Sequence, residues 1–301
     1  MIEITINGVK IPHTKTKFSD GAIGVRLTGA IPVKPDRAGI VVKSEGELND
    51  EFAEIRGIVN ILRWINSSIR IHLFLPFAPY ARQDRRMDRY DAFSLKDYAD
   101  QLNLLKLDRV VVIDAHSDVA PALFDNCVNI PQDFILKTIK SGSGISEFAD
   151  VIVAPDAGAA KKALKASMAL ELDPNAIVYL EKVRDTRTGA ITSTKIASDP
   201  STVMGTNCLI IDDLCDGGAT FIAAAEALYK NGARSVGLFV THGIFSRGIE
   251  SLINAGIDKI WTTNSFISKF SSDFSEPEFK GAVDVISVNR VHNDYFQVYF
   301  E

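Results

Sequence analysis

The stretch LIIDDLCDGGATF, residues 209–221, decides how this chain is read. Leu209, Ile210 and Ile211 are apolar strand formers leading into the pair Asp212-Asp213. Asp216, Gly217, Gly218, Ala219 and Thr220 follow, and AAAEALYKNGA (residues 223–233) reads as a helix. The whole is a strand–loop–helix unit. Its turn aims backbone N–H groups and a helix N-terminus at one point, an arrangement that suits an anion. Two carboxylates at the strand's end suit ribose hydroxyls or a metal ion. A Gly-Gly turn alone equally describes an ordinary βα loop; the acidic pair at this spacing favours a binding site.

Outward from this unit the chain alternates strands and helices. A hairpin is expected around Asn7-Gly8, then a turn and strand over 18–27 and a buried strand at 39–43. A helix over about 50–66 carries Phe52, Ile55, Ile58, Val59, Leu62 and Ile65 on one side. Strands at 70–75 and 110–113 flank a helix at 95–105. A helix at 134–140, a Gly142/Gly144 linker and strands at 151–154, 177–180, 236–240 and 260–262 follow, with a helix over about 246–254. Residues 184–201 read as a polar, mobile loop. The tail, residues 283–300, reads as extended, with Phe296, Val298 and Phe300 alternating. Such alternation argues for mainly parallel sheets flanked by helices, whose ligands collect beyond the C-terminal strand ends. Residues 114–118, Asp156, Lys182, 212–220 and Thr241-His242 all follow expected strands, so one convergent site is expected.

A length of 301 residues fits two domains. A hydrophobic fraction of 46% and a charged fraction of 24% are ordinary for a globular protein. A net charge of −5 argues against nucleic acid as a partner. No apolar run reaches the roughly 18–20 residues of a membrane span, and residues 1–12 lack the pattern of a secretory leader. Cys127, Cys208 and Cys215 show no C-x-x-C spacing, which favours a reducing, cytoplasmic setting over a zinc site. Cys215 reads as a small packed residue rather than a nucleophile.

Several residues outside the opening stretch carry candidate chemistry. FAPYARQDRRMDR, residues 77–89, places Arg82, Arg85, Arg86 and Arg89 among Asp84 and Asp88. As a solvated charge-mixed loop it needs no function; as a binding element its guanidinium groups suit phosphate oxygens. His116 by itself reads as an ordinary packed or surface histidine, and Lys182 and Arg184 as cations at a loop mouth.

Taken together these segments resemble a known family. Asp212-Asp213-x-x-Asp216-x-Gly218-x-Thr220 resembles the 5-phosphoribosyl diphosphate (PRPP) motif of type I phosphoribosyltransferases and ribose-phosphate diphosphokinases. Pro79-Tyr80-Ala81-Arg82-Gln83-Asp84 resembles the diphosphokinase signature P-Y-A-R-Q-D, which phosphoribosyltransferases in general lack. Asp114-Ala115-His116 resembles D-L-H, 154–158 resembles S-P-D-x-G, and Glu181-Lys182-Val183-Arg184 resembles D-K-R-R. Thr241-His242-Gly243-Ile244-Phe245-Ser246 resembles T-H-P-[IL]-F-S, and 263–265 resembles T-N-T. The likeness spans about residues 18–263.

The resemblance implies two phosphoribosyltransferase-like α/β domains. Residues 1–141 would form the ATP side and 142–282 the phosphoribosyl side; the tail 283–301, read here as extended where the family has a helix, is expected to complete the ATP side. It implies ATP contacts from Phe18, Asp20, Arg82, Gln83 and His116, and Mg²⁺ at His116 and Asp156. Asp212, Asp213, Asp216, Gly217, Gly218, Ala219 and Thr220 would seat the ribose and its phosphate, and Lys182 and Arg184 would act in catalysis. The implied reaction is Mg²⁺-dependent transfer of the ATP diphosphoryl group to the anomeric 1-hydroxyl of ribose 5-phosphate, with release of AMP. A cytoplasmic homo-oligomer, dimeric or larger, is expected.

Departures from the family pattern keep alternatives open. The loop D-T-G-G-T reads Asp216-Gly217-Gly218-Ala219-Thr220 here, so a hydroxyl that would donate a hydrogen bond to the phosphate is absent at Gly217. The smaller residue leaves room for a 5-phosphodiester such as ADP-ribose. Ala22 replaces a glutamate that contacts adenine in the family, and the chain ends differ from the family's. A phosphoribosyltransferase and a non-catalytic regulatory subunit of the same fold are the further alternatives.

Overall fold

The computed structural model describes residues 1–184, 191–267 and 281–300. The chain divides into two compact units, Met1–Ile130 and Pro131–Glu301.

In the first unit β1 (Ile2–Ile6) and β2 (Val9–Ile11) form the hairpin expected at Asn7-Gly8. Both turn residues have positive φ, +50° and +80°, as a two-residue turn matched to strand twist requires. β3 (His13–Lys17) and β4 (Ile23–Leu27) make a separate two-stranded ribbon. Then come β5 (Arg37–Val42), α1 (Leu48–Ile65), β6 (Arg70–Phe74), α2 (Ser94–Asn103), β7 (Arg109–Ile113), α3 (Val119–Leu123) and β8 (Cys127–Ile130). The sheet order is β2-β1-β5-β6-β7-β8, with β5 to β8 parallel and β1 antiparallel to both its neighbours. Ile55, Ile58, Val59 and Leu62, at helical spacing on α1, are buried in the same core as Ile40, Ile71 and Leu73 of the sheet. Each such side chain contributes about 1.5–3 kcal/mol through removal from water. The ribbon is tied to α1 by Glu54, whose carboxylate lies 2.7 Å from His13 and 3.3 Å from Lys15.

The second unit contains α4 (Gln132–Ile139), α5 (Ile145–Phe148), β9 (Val151–Ala154), a 3-10 turn (Ala157–Ala159), α6 (Ala160–Ala169), β10 (Val178–Arg184) and β11 (Ile191–Ile196). β12 (Asn207–Cys215), α7 (Ala219–Lys230), β13 (Ser235–Gly243), α8 (Glu250–Asn254), β14 (Ile257–Thr263), β15 (Val283–Ile286) and α9 (Val288–Phe300) complete it. The sheet order is β11-β10-β9-β12-β13-β14-β15, parallel except where β11 meets β10. Cys208, Leu209, Ile210 and Ile211 of the central β12 are fully buried, as a strand covered on both faces demands.

Four expectations are corrected. The tail is extended only over β15, which joins the second sheet; from Val288 onward it is the helix α9. Its decisive contacts have helical spacing, with Val288 and Val291 fully buried and Tyr295 stacked edge-on against Phe134 at 4.9 Å. The alternation of Phe296, Val298 and Phe300 misled, because three apolar residues at spacing two also occur on one long helix. The tail therefore completes the second unit rather than the first. The boundary falls at Ile130/Pro131 rather than after residue 141, since α4 buries Phe134, Ile135, Leu136 and Ile139 within the second unit. The polar segment 184–201 contains β11, in which Ile and Thr, both strand formers, pair antiparallel with β10 from Leu180↔Ile196 onward. Residues 185–190 of that segment lie outside the described residues. Finally, β12 runs through the acidic pair to Cys215, because β13 stays paired with it to Gly243.

Candidate active site

The C-terminal edge of the second sheet collects most of the residues singled out above. β9 pairs in parallel with β12, with Val153 opposite Ile210. Asp156 and Asp213 each lie three residues further along. β10 pairs with β9 at Tyr179↔Ala154, so Glu181 and Lys182 come level with the Asp156 turn. Thr241 and His242 end β13 beside Asp212 and Leu214, with Asp212 opposite Val240 and Leu214 opposite His242. The backbones of Lys182 and Arg184 belong to β10, but their side chains lie outside the described residues.

The acidic pair is built into the sheet. The Asp213 amide donates to Asp212 Oδ1 at 2.8 Å. Asp213 is buried, and Lys162 Nζ from α6 stands 3.7 Å from its Oδ1. Gln132, the first residue of α4, donates to the Asp212 carbonyl at 2.6 Å and to Thr241 Oγ1 at 3.1 Å. Burial, then the hydrogen bond and negative charge of Asp213, push the Asp212 carboxyl up to about 8. Added positive charge or hydrogen-bond donors, such as a cation or a ribose diol supplies, would favour the ionised form of Asp212. Lys162 and Gln132 were not singled out in the sequence. No spacing along the chain links them to residue 212; the βα packing does.

The loop beyond the pair is shaped by glycine. Gly218, at φ +78°, caps the start of α7. A Cβ there would lie 2.8 Å from Leu252 Cδ2 on a left-handed backbone, so any other residue is strained. Ala219 and Thr220 open α7, and their amides have no carbonyl one turn earlier in the helix. Asp216 receives the Ser246 amide on its carbonyl at 3.1 Å. Burial, followed by the charges of Asp216 and Asp212, pushes the Cys215 thiol up to about 12, which makes it a packing residue. The room expected at Gly217 is bordered by an arginine side chain. A Cβ on it would stand 3.3 Å from Nε of Arg247, a residue not singled out in the sequence.

Asp156 caps the 3-10 turn, its Oδ1 accepting from the amides of Gly158 (3.0 Å) and Ala159 (3.3 Å). His242 Nδ1 lies 2.7 Å from Ser265 Oγ, and Thr263 Oγ1 donates to the Thr241 carbonyl at 2.6 Å. Thr241, His242 and Thr263 are all buried. Among the described residues no three His, Cys, Asp or Glu side chains form a metal cage. The donors Asp156, Asp212, Asp213 and Asp216 are all carboxylates. That set fits Mg²⁺, which takes one or two carboxylates and fills its shell with water and phosphate oxygens.

In the first unit, Arg82 and Gln83 follow β6 and His116 follows the adjacent β7; all three are exposed. The Ile113 amide donates to the Pro76 carbonyl at 3.1 Å, which joins the two loops at their roots. Asp114, buried at φ +39°, turns the chain so that His116 reaches the surface. Phe18 and Asp20 sit instead at the tip of the β3–β4 ribbon, where Asp20 Oδ1 accepts from the Ala22 amide at 3.0 Å. Lys17 pairs with Asp50 at 2.6 Å, and Tyr80 donates to Asn49 at 2.8 Å, so ribbon and arginine loop both reach the first turn of α1. A cavity of about 940 Å³ lies nearby, lined by Asn49, Arg56, Tyr80, Arg86, Lys96 and Tyr98 among others. Arg82, Gln83 and His116 do not line it.

Fold and site together define the class: parallel α/β sheets with a phosphoribosyltransferase-type acidic strand end and glycine loop. The phosphoribosyl transferase domain family matches residues 130–274. The chain is 32% identical over 258 residues to a ribose-phosphate pyrophosphokinase of Corynebacterium efficiens, covering 84% of this chain and 76% of that one. Ribose-phosphate pyrophosphokinase 3 of Saccharomyces cerevisiae is 31% identical over 82% of this chain and 76% of its own length. The crystal structure of phosphoribosylpyrophosphate synthetase from Mycobacterium smegmatis superposes with a TM-score of 0.77 and 25% identity, covering 96% of this chain and 90% of that one. The chain belongs to the ribose-phosphate pyrophosphokinase family.

Proposed function

We propose that this enzyme transfers the diphosphoryl group of ATP to ribose 5-phosphate, making PRPP and AMP. The observation that carries this reading is the acidic pair and glycine loop at the end of β12, in a chain related over most of its length to ribose-phosphate pyrophosphokinases. The 1-hydroxyl oxygen of the ribose attacks the β-phosphorus of ATP. An O–P bond forms there, the bridge to the α-phosphorus breaks, AMP leaves with the bridging oxygen, and the hydroxyl proton passes to solvent. Such transfer rests on positioning and charge neutralisation rather than a covalent enzyme intermediate.

Asp212 and Asp213 accept hydrogen bonds from the ribose 2- and 3-hydroxyls, and this partnership favours the ionised form of Asp212. Asp216, Gly217, Gly218, Ala219 and Thr220 seat the 5-phosphate on the helix start. Arg82, Gln83, Phe18 and Asp20 bind ATP. Lys182 and Arg184 neutralise the transferring group. Asp156, and His116 on the ATP side, would hold Mg²⁺; when bound it polarises the phosphoryl oxygens. We infer a homo-oligomer, at least dimeric, working in the cytoplasm; no helix among the described residues is long and apolar enough to cross a membrane.

ATP with ribose 5-phosphate, and separately with ADP-ribose, should be followed by AMP release and product mass. AMP and PRPP are expected with ribose 5-phosphate. AMP formed only with ADP-ribose would overturn the acceptor assignment. Base transfer from PRPP without ATP would overturn the diphosphokinase reading. Arg247, whose Nε would stand 3.3 Å from a Cβ at Gly217, narrows the space on which the diester reading rests.

A further inference from the structure

The residue that borders the space beside Gly217 has no part in the motifs above. Arg247 lies in the turn after β13, and the backbone there is firmly held. The amides of Ile244 and Phe245 both donate to the Cys215 carbonyl, at 2.9 and 3.0 Å, and that of Ser246 donates to the Asp216 carbonyl. The Gly248 amide closes the turn on the Phe245 carbonyl at 2.8 Å. Phe245 takes φ +46° and buries its ring fully, packed over Gly243. These contacts set Arg247 alongside the glycine loop. A Cβ at Gly217 would lie 3.3 Å from its Nε, 3.5 Å from Cδ and 3.8 Å from Cγ, so the side chain runs lengthwise past the loop.

The charge of this edge gives that placement its meaning. A phosphate approaching it meets Asp156, Asp212, Asp213 and Asp216. Among the described side chains Lys162 stands beside Asp213 at 3.7 Å. The Arg247 side chain is exposed and forms no salt bridge among the described residues. A planar guanidinium at this point matches two oxygens of one phosphate, and its charge offsets the acids. We propose that Arg247 is a substrate-binding and specificity-determining residue that holds the phosphate on ribose C5, in place of the side-chain hydroxyl absent at Gly217. The inference rests on the assignment of the 216–220 loop as the 5-phosphate seat.

The test uses the full chain and measures AMP formation at saturating ATP while ribose 5-phosphate is varied. Arg247→Ala should raise KM for ribose 5-phosphate about 10- to 100-fold, the loss expected of a charge-assisted hydrogen bond. Its kcat should stay within about threefold, as loss of uniform binding predicts. Arg247→Lys should recover part of the affinity. With unphosphorylated ribose as acceptor, Arg247→Ala and wild type should behave alike. Adding Gly217→Thr to Arg247→Ala should lower KM again, because the hydroxyl returns and the 3.3 Å contact is gone. An unchanged KM, or an equal loss with ribose, overturns the proposal. If wild type releases no AMP, the diphosphokinase reading fails on its own. Calorimetric binding of ribose 5-phosphate, compared between wild type and Arg247→Ala, then decides the role of Arg247: equal affinities refute it and a 10- to 100-fold loss supports it.

Discussion

Replacing Asp212 by Asn should stabilise the ligand-free protein while destroying its affinity for ribose 5-phosphate. The Asp212 carboxyl is raised from 3.8 to about 8, chiefly by burial and then by Asp213. In the unfolded chain it titrates near 3.8. Below that pH both states are protonated, and the group is neutral to stability. As pH rises from about 4 to 8 the unfolded state gives up the proton and the folded state keeps it, so stability falls across that window and levels off above it. At 1.36 kcal/mol per pKa unit, the interval from 3.8 to about 8 sets a ceiling of roughly 5–6 kcal/mol. Asparagine removes that buried charge but keeps a polar group in place, so the variant should recover part of this, roughly 2–3 kcal/mol at pH 8–9. For a unit of this size that is about 5–10 °C in Tm. Thermal unfolding of wild type and Asp212→Asn from pH 4 to 9 is the assay. The two Tm values should converge near pH 4 and separate progressively towards pH 8, with the variant higher. A difference independent of pH, or a wild type more stable at pH 8, would refute the reasoning. In the wild type alone, binding of ribose 5-phosphate should release protons, visible as a dependence of calorimetric heat on buffer.

Three further predictions follow from the same residues. Lys182→Ala should lower kcat about 100-fold or more with a much smaller change in KM for either substrate, as expected for a charge used mainly in the transition state; single-turnover AMP release checks it. Gly218→Ala places a Cβ 2.8 Å from Leu252 Cδ2 at φ +78°. It should cost about 1–3 kcal/mol in urea unfolding, and should raise KM for ribose 5-phosphate because the loop must shift. Cys215, buried and pushed up to about 12, should resist iodoacetamide at pH 8 in the native protein and react once it is unfolded; rapid native modification with loss of activity would contradict its packing role.

Much of the architecture was legible in the chain. Buried parallel strands such as 209–211 are continuous apolar runs, and the glycines and acids that follow mark where they end, so the βα order emerges from local pattern alone. The motifs around Arg82, His116, Asp156 and Asp212 are contiguous in sequence and could be read there. Elements defined by their partners were misread. β11 is polar and exists because β10 pairs with it. The tail alternates like a strand, yet Tyr295 of α9 stacks on Phe134 of α4. The same holds at the site. Residues 212–220 carry their resemblance to a phosphoribosyl-binding motif within one contiguous stretch. Gln132, Lys162 and Arg247 come from three other segments and carry no motif. Only the packing of α4 and α6 and the hydrogen-bonded turn after β13 bring an amide, an ammonium and a guanidinium to that strand end. The sequence thus determined the candidate groups for the chemistry and the order of the strands that carry them. The tertiary structure decided which neighbours set their charge, because electrostatic coupling depends on distance through space and not along the chain.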